Sequence, residues 1–194
     1  IARLRLSDSS FQVEPDYNEV LGRGYRLGFL GRLHFEVTAE RLEKEFNLKT
    51  VSSFPSVAYR VKKKNSEEIE VKNPKDFPDD YLRVLEPMVA LLILSPVEHM
   101  GSVMNLKVIF RWQNVSNTIE DGRVIIKSDM PLSELISDFD DRLRSASEGY
   151  ASFSYELCGY REVAALKLEV LINGDIVPGL TRIIPAERSE KVAR

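Results

Sequence analysis

His34 and Glu36 stand as His-x-Glu inside GRGYRLGFLGRLHFEV, residues 22 to 37. In zinc deaminases that pair supplies a metal ligand and a general acid/base, and the same chemistry needs a Pro-Cys-x-x-Cys partner. The partner is missing, because the chain holds one cysteine, Cys158, and its other histidine, His99, falls in a different module. His34 is therefore expected to be a packed or hydrogen-bonded side chain. Cys158 lies in a strand beside Glu156, with no histidine near it in sequence, and reads as a buried small hydrophobe. Asp138, Asp140 and Asp141 could hold a hard cation but lack EF-hand spacing, so a solvated helix face is expected. Ser145, Ser147, Ser152 and Ser154 stand outside any Gly-x-Ser-x-Gly elbow. No nucleophile–base pair or metal set emerges, and the chain is expected to be non-catalytic.

The glycines of the same stretch invite a phosphate-loop reading. A Walker loop ends in Gly-Lys-Ser/Thr, so that lysine reaches the phosphates and a hydroxyl holds magnesium. Here Gly31 is followed by Arg32 and Leu33. The spacing Gly22, Gly24, Gly28, Gly31 also misses the dinucleotide fingerprint Gly-x-Gly-x-x-Gly. The glycines are expected to let a strand turn tightly into a helix at Gly31.

Arginines are the remaining chemistry. Arg23, Arg26 and Arg32 surround the glycine turn, and Arg41 follows on the helix; Arg142 and Arg144 close a later helix. Such arginines suit phosphate contacts to folded RNA read by shape. Ordinary surface arginine is an equally weighted reading. Net charge is −3, so no global basic field exists and any RNA-facing surface must be local. Residues 1–61 carry nine Lys/Arg against eight Asp/Glu, whereas residues 86–162 carry seven against twelve.

The elements that would position these residues follow from periodicity. Residues 10–15 and 23–29 read as strands around a polar turn. Phe35, Ala39, Leu42 and Phe46 form one helical face, with Leu33 and Val37 on a second flank expected to be covered as well. Asn47 is a stop signal, and residues 48–61 read as an extended strand bent by a proline. Residues 62–85 hold six basic and six acidic side chains and two prolines, the composition of a solvated hairpin or linker. Then follow a buried strand (MVALLILS), a short helix opened by Pro96 and a strand over LKVIFRW. Next come an Asp121-Gly122 hairpin turn, a returning strand and a helix with Leu132, Leu135, Ile136, Phe139 and Leu143 on its apolar face. A closing strand, YASFSYELCGY, completes β-α-β-β-α-β, the ferredoxin-like unit. Residues 166–177 form one more hairpin around Asn173-Gly174. The fold class is α+β: two tandem ferredoxin-like modules, the first incomplete at its start, plus a C-terminal β-hairpin. The chain is 194 residues long, starts at Ile1 and ends in EKVAR without a tapering tail, and so reads as a piece of a longer protein. Its longest apolar run is strand-sized, far short of the ~20 residues that span a bilayer. A lone cysteine fits a reducing compartment.

Several motifs carry a family resemblance. Residues 31–37 (GRLHFEV) with 40–46 (ERLEKEF) resemble the helix of domain III in elongation factor G and its relatives. Glu86-Pro87, Pro96, Met100-Gly101, Pro131-Leu132-Ser133-Glu134 and Leu143-Arg144-Ser145 resemble domain V. DRLRSASEGYASFSY at 141–155, followed by VLING at 170–174, is similar to the LepA (elongation factor 4) branch, as is the absence of a domain IV between the modules. The resemblance implies domain III-like residues 1–61 (partial), a linker or charged hairpin at 62–85, domain V-like residues 86–162, and the truncated start of a terminal domain at 163–194. It implies the ribosome-binding part of a translational GTPase acting on elongating or assembling ribosomes, cytoplasmic and ribosome-associated, with peripheral membrane association open. Its partners would be ribosomal RNA and ribosomal proteins, with tRNA contacted through a part that lies past residue 194, no DNA, and the fragment monomeric. By the same resemblance, GTP and magnesium would belong to a domain preceding residue 1, and no cofactor is expected in this fragment. Two departures stand out: Arg111 is followed by Trp112 and Gln113 where the family usually has Arg-Gly, and Ile184-Pro185-Ala186-Glu187 replaces Ile-x-His-Arg. A different class, a regulatory small-molecule module of tandem ferredoxin-like domains, would expect a Gly-rich loop at 95–101, where the chain has SPVEHMG.

Overall fold

A computed structural model describes residues 1–18, 22–29, 32–51, 56–177 and 180–189. The chain divides into two units, Ile1–Ser53 and Phe54–Arg194.

The first unit opens with helix α1 (Ala2–Ser7), followed by strands β1 (Gln12–Asn18) and β2 (Gly22–Gly28) and helix α2 (Arg32–Phe46). The strands pair antiparallel from Gln12↔Gly28 to Asn18↔Gly22. Leu4, Phe11 and Leu42 are buried together, with Val13, Leu27, Phe29 and Phe46 packed around them. Asn47 ends α2 in the left-handed region at φ 52°, a conformation asparagine tolerates better than most residues, and Leu48 N–H reaches back to Leu42 C=O at 3.0 Å. The second flank of α2 is open: Leu33 is 74% and Val37 47% exposed, not covered as the pattern suggested. The strand-to-helix turn at Gly31 lies outside the described residues. So does the proline of the expected 48–61 strand, of which, among the described residues, the part from Tyr59 is a strand.

That end is β3 (Tyr59–Lys63), and it belongs to the second unit. It pairs with β4 (Glu68–Val71) and with the start of β5 (Tyr81–Pro96), so the charged segment is a hairpin built onto the main sheet. After β5 come a 3-10 turn (Val97–His99), α3 (Met100–Asn105), β6 (Gln113–Glu120) and β7 (Arg123–Pro131). The next helix is broken into α4 (Leu132–Glu134), a π turn (Leu135–Phe139) and α5 (Asp140–Ala146), with its kink at Asp138 (φ −134°). β8 (Ser152–Val163) closes the module. β5 lies between β8 on one edge and β3 and β7 on the other, and β6 flanks β7. The order β8-β5-β7-β6 is the ferredoxin-like sheet. β9 (Ala165–Leu168) pairs with β12 (Arg182–Pro185), and between them β10 (Leu171–Ile172) and β11 (Asp175–Ile176) make a small hairpin.

Two turns read from sequence are present. Asp121 and Gly122 have φ of 49° and 75°, the mirror-image turn that matches strand twist; Asn173 and Gly174 repeat it. LKVIFRW is not a strand. Leu106–Val108 is a 3-10 turn, and Leu106, Phe110 and Trp112 reach the core while Val108 is 87% exposed. Val89, Leu91, Ile93, Val124, Ile126 and Met130 from the sheet meet Leu135, Phe139 and Leu143 from the helix in one core. A second core under β3 and β4 holds Val57, Tyr59, Val61, Val84 and Ala165.

Candidate functional site

His34 turns out to be a positioned side chain. It sits on the first turn of α2, edge-on to Phe29 at 5.2 Å, and its Nε2 lies 2.7 Å from Asp8 Oδ2. Ser10 Oγ donates to Asp8 Oδ1 at 2.5 Å and stands 3.5 Å from the same His34 Nε2. Serine and aspartate thus address one ring nitrogen, whereas a catalytic triad places them on opposite nitrogens. The hydroxyl and amide of Ser10, and then His34, lower the Asp8 carboxyl to about 2. The trio pins the end of α1 to the start of α2. Cys158, expected to be buried, is exposed; partial burial and Asp129 raise its thiol, which disfavours the nucleophilic thiolate.

The arginines of the first unit do not form one patch. Arg23 and Arg26 both lie within β2 but three residues apart, so they face opposite sides of the ribbon. Arg23 is exposed. Arg26 lies 3.3 Å from Asp16 on the paired strand. Arg32 begins α2 and its side chain lies outside the described residues. Arg41 donates through Nε to Glu45 at 2.8 Å and through Nη2 to Ser7 at 3.3 Å.

Arg142 and Arg144 of the second unit are exposed, 47% and 68%, as the apolar face of their helix required. Each is paired four residues back along the helix, Arg142 with Asp138 and Arg144 with Asp140 at 3.0 Å. Donating to the Asp140 carboxylate raises the Arg144 guanidinium above its ordinary value. These arginines are solvated and loosely held.

A second set of charges is buried. Arg111 donates through Nη1 and Nη2 to the two oxygens of Glu86 at 2.9 and 2.8 Å, and through Nε to Glu134 at 2.6 Å. Its backbone N–H donates to the other oxygen of Glu134 at 2.8 Å. Arg161 adds a 2.9 Å bond to Glu86, and Arg188 lies 3.1 Å from Glu134. Glu86 and Glu134 are almost wholly enclosed. Burial works against the Arg111 charge, but its bonds to Glu86 and Glu134 outweigh it and hold the guanidinium above its usual value. Tyr59 beside this hub is pushed up to about 12 by its own burial and by the Glu86 charge. Sequence reading noted Glu86, Arg111 and Glu134 only as parts of motifs. The available signal was Glu86 itself, a carboxylate at the head of an apolar strand, which must be paired to be buried. Trp112, the departure beside Arg111, has no positive φ; the left-handed residue nearby is Asn114, at the irregular start of β6. The Trp112 ring is buried 6.2 Å from Phe139, although its indole N–H finds no hydrogen-bond partner among the described residues.

Among the described residues no group of three or more His, Cys, Asp or Glu side chains could hold a metal ion, and no helix is long and apolar enough to cross a membrane. The segment 95–101 is occupied by the turn into α3, with Ser95 buried.

Residues 83–171 match the family model of the elongation factor G C-terminus. Over its whole length the chain is 40% identical to elongation factor 4 of Clostridium novyi, and 42% identical to those of Thermus thermophilus and Aquifex aeolicus. It spans 33% of each of those relatives. A crystal structure of a Thermus thermophilus protein shares the fold with a TM-score of 0.51 at 14% identity, covering 84% of this chain and 37% of that one.

Proposed function

We propose that this chain, a member of the elongation factor 4 family by sequence along its full length, is a ribosome-docking part of a translational GTPase acting on elongating or assembling ribosomes. The observation that carries the reading is the identity of about 40% to elongation factor 4 over the whole chain, together with the match to the elongation factor G C-terminus at 83–171. Ile1–Ser53 then serves as a partial domain III and the ferredoxin-like module as domain V. Nucleotide chemistry is assigned to other residues of the whole protein, where GTP and magnesium would bind, and tRNA contact to a part other than these modules. The whole protein works in the cytoplasm on the ribosome.

Docking rests on exposed guanidinium groups. Arg142 and Arg144 hold carboxylates that phosphate oxygens can replace, because an exposed pair has little net stability to lose. Arg23 and Arg41 offer further, separate contacts, and Arg26 and Arg32 are candidates beside them in sequence. None of these positions reads a base, so recognition is of RNA shape and phosphate charge. The direct test is co-sedimentation of the chain with bacterial ribosomes at low salt. Saturable pelleting is expected; a chain left in the supernatant at ribosome excess contradicts the reading.

A further inference from the structure

Within the ferredoxin-like module the buried charges already balance. Glu86 and Glu134 meet Arg111 and Arg161, two carboxylates against two guanidinium groups, all carried by the module's own strands, loop and helix. Arg188 is an additional cation from outside it, on the 3-10 turn Ala186–Arg188 that follows β12. Its Nη1 lies 3.1 Å from Glu134 Oε1, and its Nη2 donates to the Ile109 carbonyl at 2.5 Å.

We infer that Arg188 is a latch: the Glu134 carboxylate and the Ile109 carbonyl form an intramolecular docking site for its guanidinium, and this site fixes the direction in which the chain leaves β12. Two acceptors in different directions call for a planar fork with several donors, which arginine has and the point-charge ammonium of lysine lacks. The strand before the turn is anchored separately. β12 pairs with β9, and Ile184 is buried. The turn itself is tied by Ala186 N–H to Ala164 C=O at 2.7 Å and closed by Ser189 Oγ on Ala186 C=O. Loss of Arg188 leaves a neutral buried set, so the module stays folded while the turn comes free. Loss of the Arg111 side chain would instead remove three hydrogen bonds from the enclosed carboxylates, leaving Glu86 to Arg161 and Glu134 to Arg188 at the rim. Arg188 is thus a positioning residue whose removal is local.

Hydrogen exchange by mass spectrometry on the 194-residue chain reads this directly. In Arg188→Ala, amide exchange over residues 186–189 should rise about tenfold, the equivalent of one charge-assisted hydrogen bond, while β5, β7 and β8 keep their protection. Arg188→Lys should fall between the variant and the parent. Glu187→Ala should leave the turn unchanged, because that carboxylate is 69% exposed and 3.7 Å from Arg111. Unchanged exchange at 186–189 in Arg188→Ala would overturn the latch. Faster exchange throughout β5 and β7, or failure of the variant to fold, would overturn it equally by making Arg188 part of the core's support.

Discussion

Arg111 with Glu86 and Arg144 with Asp140 are the same chemical pair in opposite surroundings. The first is a two-bond fork onto a carboxylate that is 1% exposed. The second joins side chains 68% and 49% exposed across one helical turn. Burial removes the water that would otherwise solvate a separated pair, so breaking the first leaves an enclosed charge short of the bonds that offset its desolvation. Water and salt screen the second, so it can open and close and exchange its carboxylate for another anion. One pair holds the module together and the other is free to meet a partner. Residue type does not distinguish them; enclosure does.

Glu86→Ala tests the buried side of that contrast and should have the largest effect. It takes the fork from Arg111, leaving it Glu134 alone within the hub, and takes the hub carboxylate from Arg161, and the ferredoxin-like module should lose about 3–5 kcal/mol. Trp112 is the chain's one tryptophan and is buried in this core, so its fluorescence in a denaturant titration reports the change. A loss below about 1 kcal/mol would erase the distinction between the two pairs. Arg161→Met sits between the extremes, since Arg161 gives Glu86 one bond from a side chain 27% exposed. It should cost about 1.5–3 kcal/mol in the same assay, and a cost equal to that of Glu86→Ala would mean that Arg111 alone cannot hold Glu86.

Asp8 supplies an intermediate case in the other unit. Its folded carboxyl, at about 2, lies below its ordinary 3.8. A depressed acid stabilises the fold fully above the unfolded value, so this contribution is intact at neutral pH and fades as pH falls from about 4 through 2. Carboxyl titration by NMR should place the midpoint near 2, and Asp8→Asn should remove that part of the acid sensitivity. A midpoint at the ordinary value of about 4 would show that Ser10 and His34 do not hold the charge. The smallest effect belongs to Arg144→Gln, which should leave the denaturant midpoint of the module unchanged within error. A measurable loss there would mean that the exposed pair is structural after all.

Much of the fold was legible because local chemistry and tertiary demand agree. Asp121-Gly122 and Asn173-Gly174 are turn signals whose backbone requirement few other residues meet, and Leu135, Phe139 and Leu143 mark a buried helix face in spite of its π turn. LKVIFRW misled because its apolar residues suit a strand, whereas Leu106 and Phe110 are spaced for a helical turn. Leu33 and Val37 imitate a covered flank, yet they are 74% and 47% exposed. The hub was beyond sequence reading, since its members come from β5, the loop before β6, α4, β8 and the turn after β12. The arginine patches were half legible: the exposure of Arg142 and Arg144 followed from helix period, but their pairing with Asp138 and Asp140 was not anticipated.

Ribosome co-sedimentation across a salt series, with the parent chain beside Arg142→Glu/Arg144→Glu, tests the central claim most directly. The parent should pellet at low salt and progressively less as salt rises, because phosphate contacts release counterions. The double variant should stay in the supernatant at every salt while its circular dichroism matches the parent. Equal pelleting of the two proteins throughout the series would contradict docking through this helix.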